Sequence, residues 1–235
     1  MHVTAIVLAA GRGRRLKSRI PKPLVEINSK PIIIYSLGVF SKHPLVTDIV
    51  VAANARNLKG IFNRIIKYKI SKILRVVKGG RRRQDSVRNA LKAVDRCTDL
   101  VMIHDGARPF IDKKLVSSLI REAKKNGAAI AGVPVKATIK SVRCQVSGVR
   151  SKPMVEKTLN RQNLWEIQTP QVFKKDVIVK AYKRFGNIDA TDDAMLVEKL
   201  GAKVSVVLGS YRNIKITTPE DLTLAEAIAE KWNTK

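Results

Sequence analysis

A chain of 235 residues with 45% hydrophobic content is long enough to bury roughly 70–75% of its unfolded surface, which excludes a dominantly disordered state. No apolar run approaches the roughly 18 residues of a membrane span, and Cys97 and Cys144 form neither a disulfide framework nor a metal-ligand pair, so a soluble, cytoplasmic protein is expected. The balance of 46 Lys+Arg against 19 Asp+Glu, net +27, favours a polyanionic partner (nucleic acid, anionic membrane or phosphorylated metabolite) unless the excess merely coats the surface.

The first apolar run, Val3–Ala9, reads as a buried parallel strand, and its basic residues follow it rather than precede it, the reverse of a secretory leader. A helix over Pro31–Phe40 opens with proline at a first helical position. Strands are predicted at Asp48–Ala53, Ile73–Val77 and Leu100–Ile103. Between the last two, Val87, Ala90, Leu91 and Val94 form one helical face. Asp112 can cap a helix whose stripe is Val116, Leu119, Ile120 and Ala123. Strands alternating with helices of this size imply an α/β fold, a parallel sheet with helices on both faces.

The segment from Pro134 to Pro170 differs. No long amphipathic period appears there, and short strands are expected at Thr138–Val142 and Gln145–Val149 around a turn at Ser147-Gly148. This reads as an arm inserted at about 137–160 in a single domain spanning residues 1–235. Helices resume at Lys174–Phe185 and after a Thr191 cap, with Gly201 as a stop. Lys203–Leu208 reads as a strand, as does the run Ile214-Lys215-Ile216, and Thr218-Pro219-Glu220-Asp221 opens the last helix.

The chemistry concentrates after the first strand, from Leu8 to Lys22. Small residues at the carboxyl end of a buried strand let backbone N–H groups approach an anion. Arg12, Arg14, Arg15, Lys17, Arg19 and Lys22 crowd this loop without an acid. No Gly-Lys-Ser/Thr end is present for a P-loop, and Leu16 stands where a dinucleotide fingerprint needs its third glycine. The charge suits a triphosphate.

Ala9-Ala-Gly-Arg-Gly-Arg-Arg15 followed by Pro21-Lys22 resembles the signature of sugar-phosphate nucleotidyltransferases. So do Gly79-Gly80 with Arg83-Gln-Asp-Ser86, His104-Asp-Gly-Ala-Arg-Pro109, Pro134-Val-Lys-Ala-Thr138, Thr158-Leu-Asn-Arg161, Gln168-Thr-Pro-Gln171, Thr191-Asp-Asp-Ala194 and Asn213-Ile-Lys-Ile-Thr217. In that order and over the whole chain they resemble the 2-C-methyl-D-erythritol 4-phosphate cytidylyltransferase family. There are two departures from its pattern: Gly106, where alanine is frequent, and Arg81-Arg82-Arg83, replacing a loop where the family often carries an acid.

The resemblance implies a Rossmann-like, mostly parallel sheet and an arm exchanged across a two-fold homodimer. It implies CTP and a sugar-alcohol phosphate as substrates, Mg²⁺ as the accompanying cation, and neither nucleic acid nor membrane as partner. Carried over residue by residue, Arg15, Lys22, Arg161 and Lys215 would be catalytic. Ala9, Ala10, Gly11, Gly13, Gly80 and Ser86 would bind the nucleotide. Arg108, Thr138, Arg161, Thr169 and Lys215 would bind the second substrate, and Asp105 would hold the metal. His104 is read as structural.

Such a reaction needs no general base, because a phosphomonoester is largely dianionic at neutral pH. It needs positive charge at the transferred group, which an arginine fork and a lysine supply. A ribitol-5-phosphate cytidylyltransferase is the nearest rival; Gly106-Ala107 before Arg108 and Ile167 before Gln168 favour the methylerythritol reading. A basic nucleic-acid-binding protein is a weaker rival, since 5% aromatics is poor material for stacking on bases. A nicotinamide oxidoreductase is disfavoured by the missing third glycine.

Overall fold

A computed structural model describes residues 1–11, 13–143 and 153–232. Its strands are β1 (Val3–Ala9), β2 (Glu26–Ile27), β3 (Lys30–Pro31), β4 (Asp48–Ala53), β5 (Ile73–Lys78), β6 (Leu100–Asp105), β7 (Ala128–Pro134), β8 (Lys140–Arg143), β9 (Met154–Thr158), β10 (Trp165–Lys174) and β11 (Ser205–Leu208). The helices are α1 (Ile32–Lys42), α2 (Leu58–Lys67), α3 (Arg83–Leu91), α4 (Lys113–Asn126), α5 (Lys175–Phe185), α6 (Ala194–Lys199) and α7 (Pro219–Trp232).

Seven strands form one sheet in the order β11-β7-β10-β6-β1-β4-β5. The pairs β1/β4, β1/β6, β4/β5 and β11/β7 are parallel, and β10 runs antiparallel to both of its neighbours. This is the Rossmann-like α/β architecture expected from the alternating pattern. β1 is apolar on both faces because both are covered. Val3, Ala5, Val7 and Ala9 pack in one layer with α1, α2 and α4, while Ile6 faces α3, α5 and α6. A smaller third cluster seats α7 on Leu16, Val25, Ile27, Tyr35 and Phe110.

Local signals worked where they were periodic. Asp112 accepts from the Lys114 N–H at 2.7 Å, and Val116, Leu119, Ile120 and Ala123 are buried as predicted. α6 differs: Asp192, not Thr191, accepts from the Met195 N–H at 3.0 Å. Ile214–Ile216 is no strand; it is an irregular segment tied by the Ile216 N–H to the Ala107 carbonyl at 2.9 Å.

Two strands of the seven-stranded sheet escaped the sequence reading. β7 is a run of small residues, and β10 holds Gln168, Thr169 and Gln171, all buried, around a register shift between Ile167 and Gln171. Their polarity is satisfied at a distance: Gln168 donates to the Ser210 carbonyl at 2.9 Å, and Gln171 accepts from the Asp193 and Ala194 N–H groups at 3.2 Å each. A buried strand so partnered shows no hydrophobic alternation.

Within the predicted arm, β8 and β9 form an antiparallel ribbon, Lys140 opposite Thr158 and Arg143 opposite Met154. The predicted strand Gln145–Val149 with its Ser147-Gly148 turn lies outside the described residues. The ribbon exposes apolar side chains, Met154 at 70% and Val155 at 62%.

Candidate active site

The loop leaving β1 turns sharply. The Leu16 N–H donates to the Gly13 carbonyl at 3.0 Å, and Gly13 holds φ +63°. A Cβ at Gly13 would lie 2.7 Å from Lys22 Cβ, so glycine here lets the lysine stem pass against the loop. Gly106 is also a close approach: a Cβ would sit 2.9 Å from the Leu8 carbonyl oxygen. Alanine there would require the backbone to shift.

Where the carboxyl ends of β1, β4 and β6 converge lies a cleft of ≈ 790 Å³, the usual position for ligands in open α/β sheets. Ala9, Ala10, Gly11, Gly13, Lys22, Gly80, Ser86, Asp105 and Lys215 line it, as do Arg19, Arg56, Arg81, Arg82 and Arg83. Asp105 is the only carboxylate among these lining residues. Arg82 turns back to Asp85 at 3.0 Å at the start of α3, whereas Arg81 stands exposed at the cleft.

Burial and the neighbouring charges of Lys215 and Arg15 push the Lys22 ammonium down to about 8, with Asp105 opposing. Asp105 pays for its burial through two cations, Arg83 Nε at 3.1 Å from Oδ1 and Lys215 Nζ at 2.6 Å from Oδ2. Burial works against its charge, but Arg83 and Lys215 outweigh it and hold the carboxyl well below the usual carboxylate range. Among the described residues, no cluster of three or more His, Cys, Asp or Glu side chains is arranged to hold a metal. Any cation at Asp105 would need its other ligands from a substrate and water, the habit of Mg²⁺.

Behind Asp105 the polar groups lock one another. His104 Nε2 faces the Arg108 carbonyl at 2.9 Å, so this nitrogen carries the proton. Its Nδ1 then accepts from the Thr169 hydroxyl at 3.2 Å, whose oxygen accepts the Asp105 N–H at 3.0 Å. Burial pushes the His104 imidazole down to about 4, which keeps it neutral. Arg108 is buried and donates to the Asn213 carbonyl at 2.6 Å, while its Nε has no partner among the described residues.

Arg108 and Thr169 thus stand in the wall behind the cleft, and Arg15 is an exposed electrostatic neighbour of Lys22. Thr138 and Arg161 lie exposed at the base of the ribbon and are not among the residues that line this chain's cleft, with Arg161 Nη1 on the Lys136 carbonyl at 2.5 Å. Arg12 lies outside the described residues.

Arg83, Tyr182, Asn54 and Asn57 had no assigned role in the sequence reading. Arg83 bridges Asp105 to the fully buried Asp193, with Nη2 2.8 Å from Asp193 Oδ2, and Tyr182 donates to Asp193 Oδ1 at 2.5 Å. Asn54 and Asn57 donate to the carbonyls of Ala10 and Ala9 at 3.2 and 2.8 Å. Arg83 stood in a quoted motif; the asparagines offered only a turn signal between a strand and a helix.

The sequence profile of the 2-C-methyl-D-erythritol 4-phosphate cytidylyltransferase family matches residues 3–231. The chain belongs to that family. A cytidylyltransferase of this family from Syntrophus aciditrophicus is 44% identical over 232 residues, covering 97% of this chain and 96% of its own length. Its counterpart from Alkaliphilus metalliredigens is 42% identical over 229 residues, 96% of this chain and 92% of that one. Among solved structures, the 4-diphosphocytidyl-2C-methyl-D-erythritol synthase of Anaerococcus prevotii superposes with a TM-score of 0.84 at 33% identity, covering 97% of this chain and 96% of the other. For a cytidylyltransferase the cleft's chemistry is apt: cations and backbone N–H groups for phosphates, and no acid–base histidine. Among the described residues no helix is long and apolar enough to cross a membrane.

Proposed function

We propose that this chain transfers the cytidylyl group of CTP to 2-C-methyl-D-erythritol 4-phosphate in the cytoplasm, releasing pyrophosphate, as a step of non-mevalonate isoprenoid precursor synthesis. The observation that carries the reading is the cleft itself, where Lys22 and Lys215 converge on Asp105 beside the Ala9–Gly13 loop. A phosphate oxygen of the acceptor forms a bond to the α-phosphorus of CTP while the bond to the pyrophosphate oxygen breaks. The acceptor phosphate is already dianionic, so no proton need be removed. Lys22 and Arg15 stabilise the charge that spreads over the transferred group. Lys215 and Arg108 serve the acceptor phosphate, and Gly80 and Ser86 the nucleotide.

Asp105 fits a Mg²⁺ that travels with the triphosphate: it is ionised, and each carboxylate oxygen keeps a lone pair beyond the one used by Arg83 or Lys215. When bound, the cation would neutralise triphosphate charge. The reading is tested by pyrophosphate release from CTP with methylerythritol phosphate or ribitol phosphate as acceptor, with and without a chelator. Turnover with ribitol phosphate alone would overturn the acceptor, and full activity in chelator would overturn the metal.

The same reading makes the enzyme a homodimer in which Arg161, Thr138 and their ribbon complete the neighbouring site. Support comes from the exposed apolar ribbon and from the absence of both residues from the lining of their own chain's cleft. Lys22→Ala and Arg161→Ala, each nearly inactive alone, are mixed under conditions that allow subunit exchange. Random exchange makes half the dimers mixed, each with one intact site, so activity should return to about a quarter of wild type per subunit. No recovery despite demonstrated exchange would place Arg161 in its own chain's site.

A further inference from the structure

We propose that Asn54 and Asn57 are positioning residues for the nucleotide: holding the carbonyls of Ala9 and Ala10 from behind, they turn the N–H groups of Ala10 and Gly11 toward the triphosphate. The inference rests on the cleft being the CTP site.

The geometry follows from the peptide group. Asn57 Nδ2 donates to the Ala9 carbonyl at 2.8 Å and Asn54 Nδ2 to the Ala10 carbonyl at 3.2 Å. A carbonyl only accepts, so in both side chains the amide nitrogen faces the loop. In a planar trans peptide the C=O of one residue and the N–H of the next point in opposite directions. Anchoring the Ala9 and Ala10 carbonyls therefore aims the Ala10 and Gly11 N–H groups away from the anchors. Both residues line the cleft, and neither N–H has a backbone acceptor among the described residues. Two N–H donors at the end of a strand, with no acceptor among the described residues, are suited to phosphate oxygens.

The two asparagines divide the work. Asn54 Oδ1 accepts the Arg56 and Asn57 N–H groups at 2.9 and 3.0 Å, fixing the turn that leads from β4 into α2. Asn57 does not cap α2 with its side chain. It is fully buried, and its Oδ1 has no partner among the described residues. A buried amide that leaves its acceptor unmatched is poorly placed to serve local stability alone. Among the described residues, its one side-chain bond is the hold on Ala9.

Asn57→Ala removes that hold and leaves the α2 start to Asn54. Asn54→Ser keeps a short acceptor for the turn but cannot reach the Ala10 carbonyl, and it adds no charge to the cleft. CTP affinity is measured by calorimetry without acceptor, and KM for each substrate in the full reaction. Both variants should weaken CTP binding by about ten- to a hundredfold, the range for hydrogen bonds to a charged group, while KM for the acceptor stays at the wild-type value. Unchanged CTP affinity in Asn54→Ser, or equal weakening of both substrates, would overturn the inference. Should Asn57→Ala fail to fold, Asn54→Ser, at a partly exposed position, decides alone. Wild-type protein that fails to bind CTP would instead overturn the reading of the cleft, and this inference with it.

Discussion

Lys22→Ala is expected to lower kcat/KM by about 10²–10³-fold, the usual loss when one preorganised charge is removed from a developing oxyanion. Lys22 is placed for this by local chemistry. Pro21 sets the backbone ahead of a short 3-10 turn, and Gly13 leaves room for the stem. The same placement crowds it with Lys215 and Arg15, which together with burial lowers its pKa to about 8. A lysine so shifted is charged at neutral pH and loses its proton as pH rises through about 8. Since kcat/KM reports the free enzyme, it should fall on that alkaline limb, while bound triphosphate raises the pKa and keeps kcat level to higher pH. Lys22→Arg should move the limb beyond the accessible range. A folded Lys22→Ala enzyme with near wild-type turnover, or an alkaline limb unchanged in Lys22→Arg, would remove Lys22 from the catalytic role.

Arg83→Met should markedly destabilise the fold. Arg83 is held between two carboxylates; burial opposes its charge, and Asp193 and Asp105 together outweigh it, raising its pKa above the usual arginine value. Lys215 remains on Asp105 in the variant, but Asp193 is fully buried and would lose its cation. Removing one partner of a buried pair costs about 3–5 kcal/mol. Because the Arg83 side chain keeps 27% exposure, the lower end of that range applies, a fall in Tm of roughly 6–12 °C. Asp193→Asn removes the charge that Arg83 answers, so the double variant should be less destabilised than the sum of the singles. Urea unfolding of the four proteins gives the coupling. Additivity within about 0.5 kcal/mol would show that the two groups do not depend on one another.

Tyr182 and Gln171 extend that dependence away from the chemistry. Tyr182 holds the other Asp193 oxygen, and Gln171 accepts the backbone N–H groups at the start of α6. The end of β6, the start of α3 and the turn before α6 are thereby tied to one guanidinium. Arg83→Lys keeps the charge but not the planar fork that reaches both carboxylates.

What the sequence by itself determined were features whose causes are local. A buried apolar run followed by small and basic residues defines β1 and the loop that carries Lys22, because strand, turn and charge adjoin in the chain. The stripe of α4 and its Asp112 cap are legible for the same reason: helical period and capping act within a few residues. The ordered motifs from Ala9 to Lys215 pointed to a cytidylyltransferase because ligand contacts restrict residue type even where no periodicity exists. Only the tertiary structure decided how the polar interior is satisfied. Gln168, Thr169 and Gln171 show no strand pattern, yet they sit buried in β10 because their partners come from Ser210, His104 and the start of α6. Likewise Arg83 finds Asp193, and Asn57 finds the Ala9 carbonyl, across long stretches of chain. A buried polar group is tolerated only where a partner meets it, and that meeting is a property of the fold, with no period or spacing in the sequence to announce it.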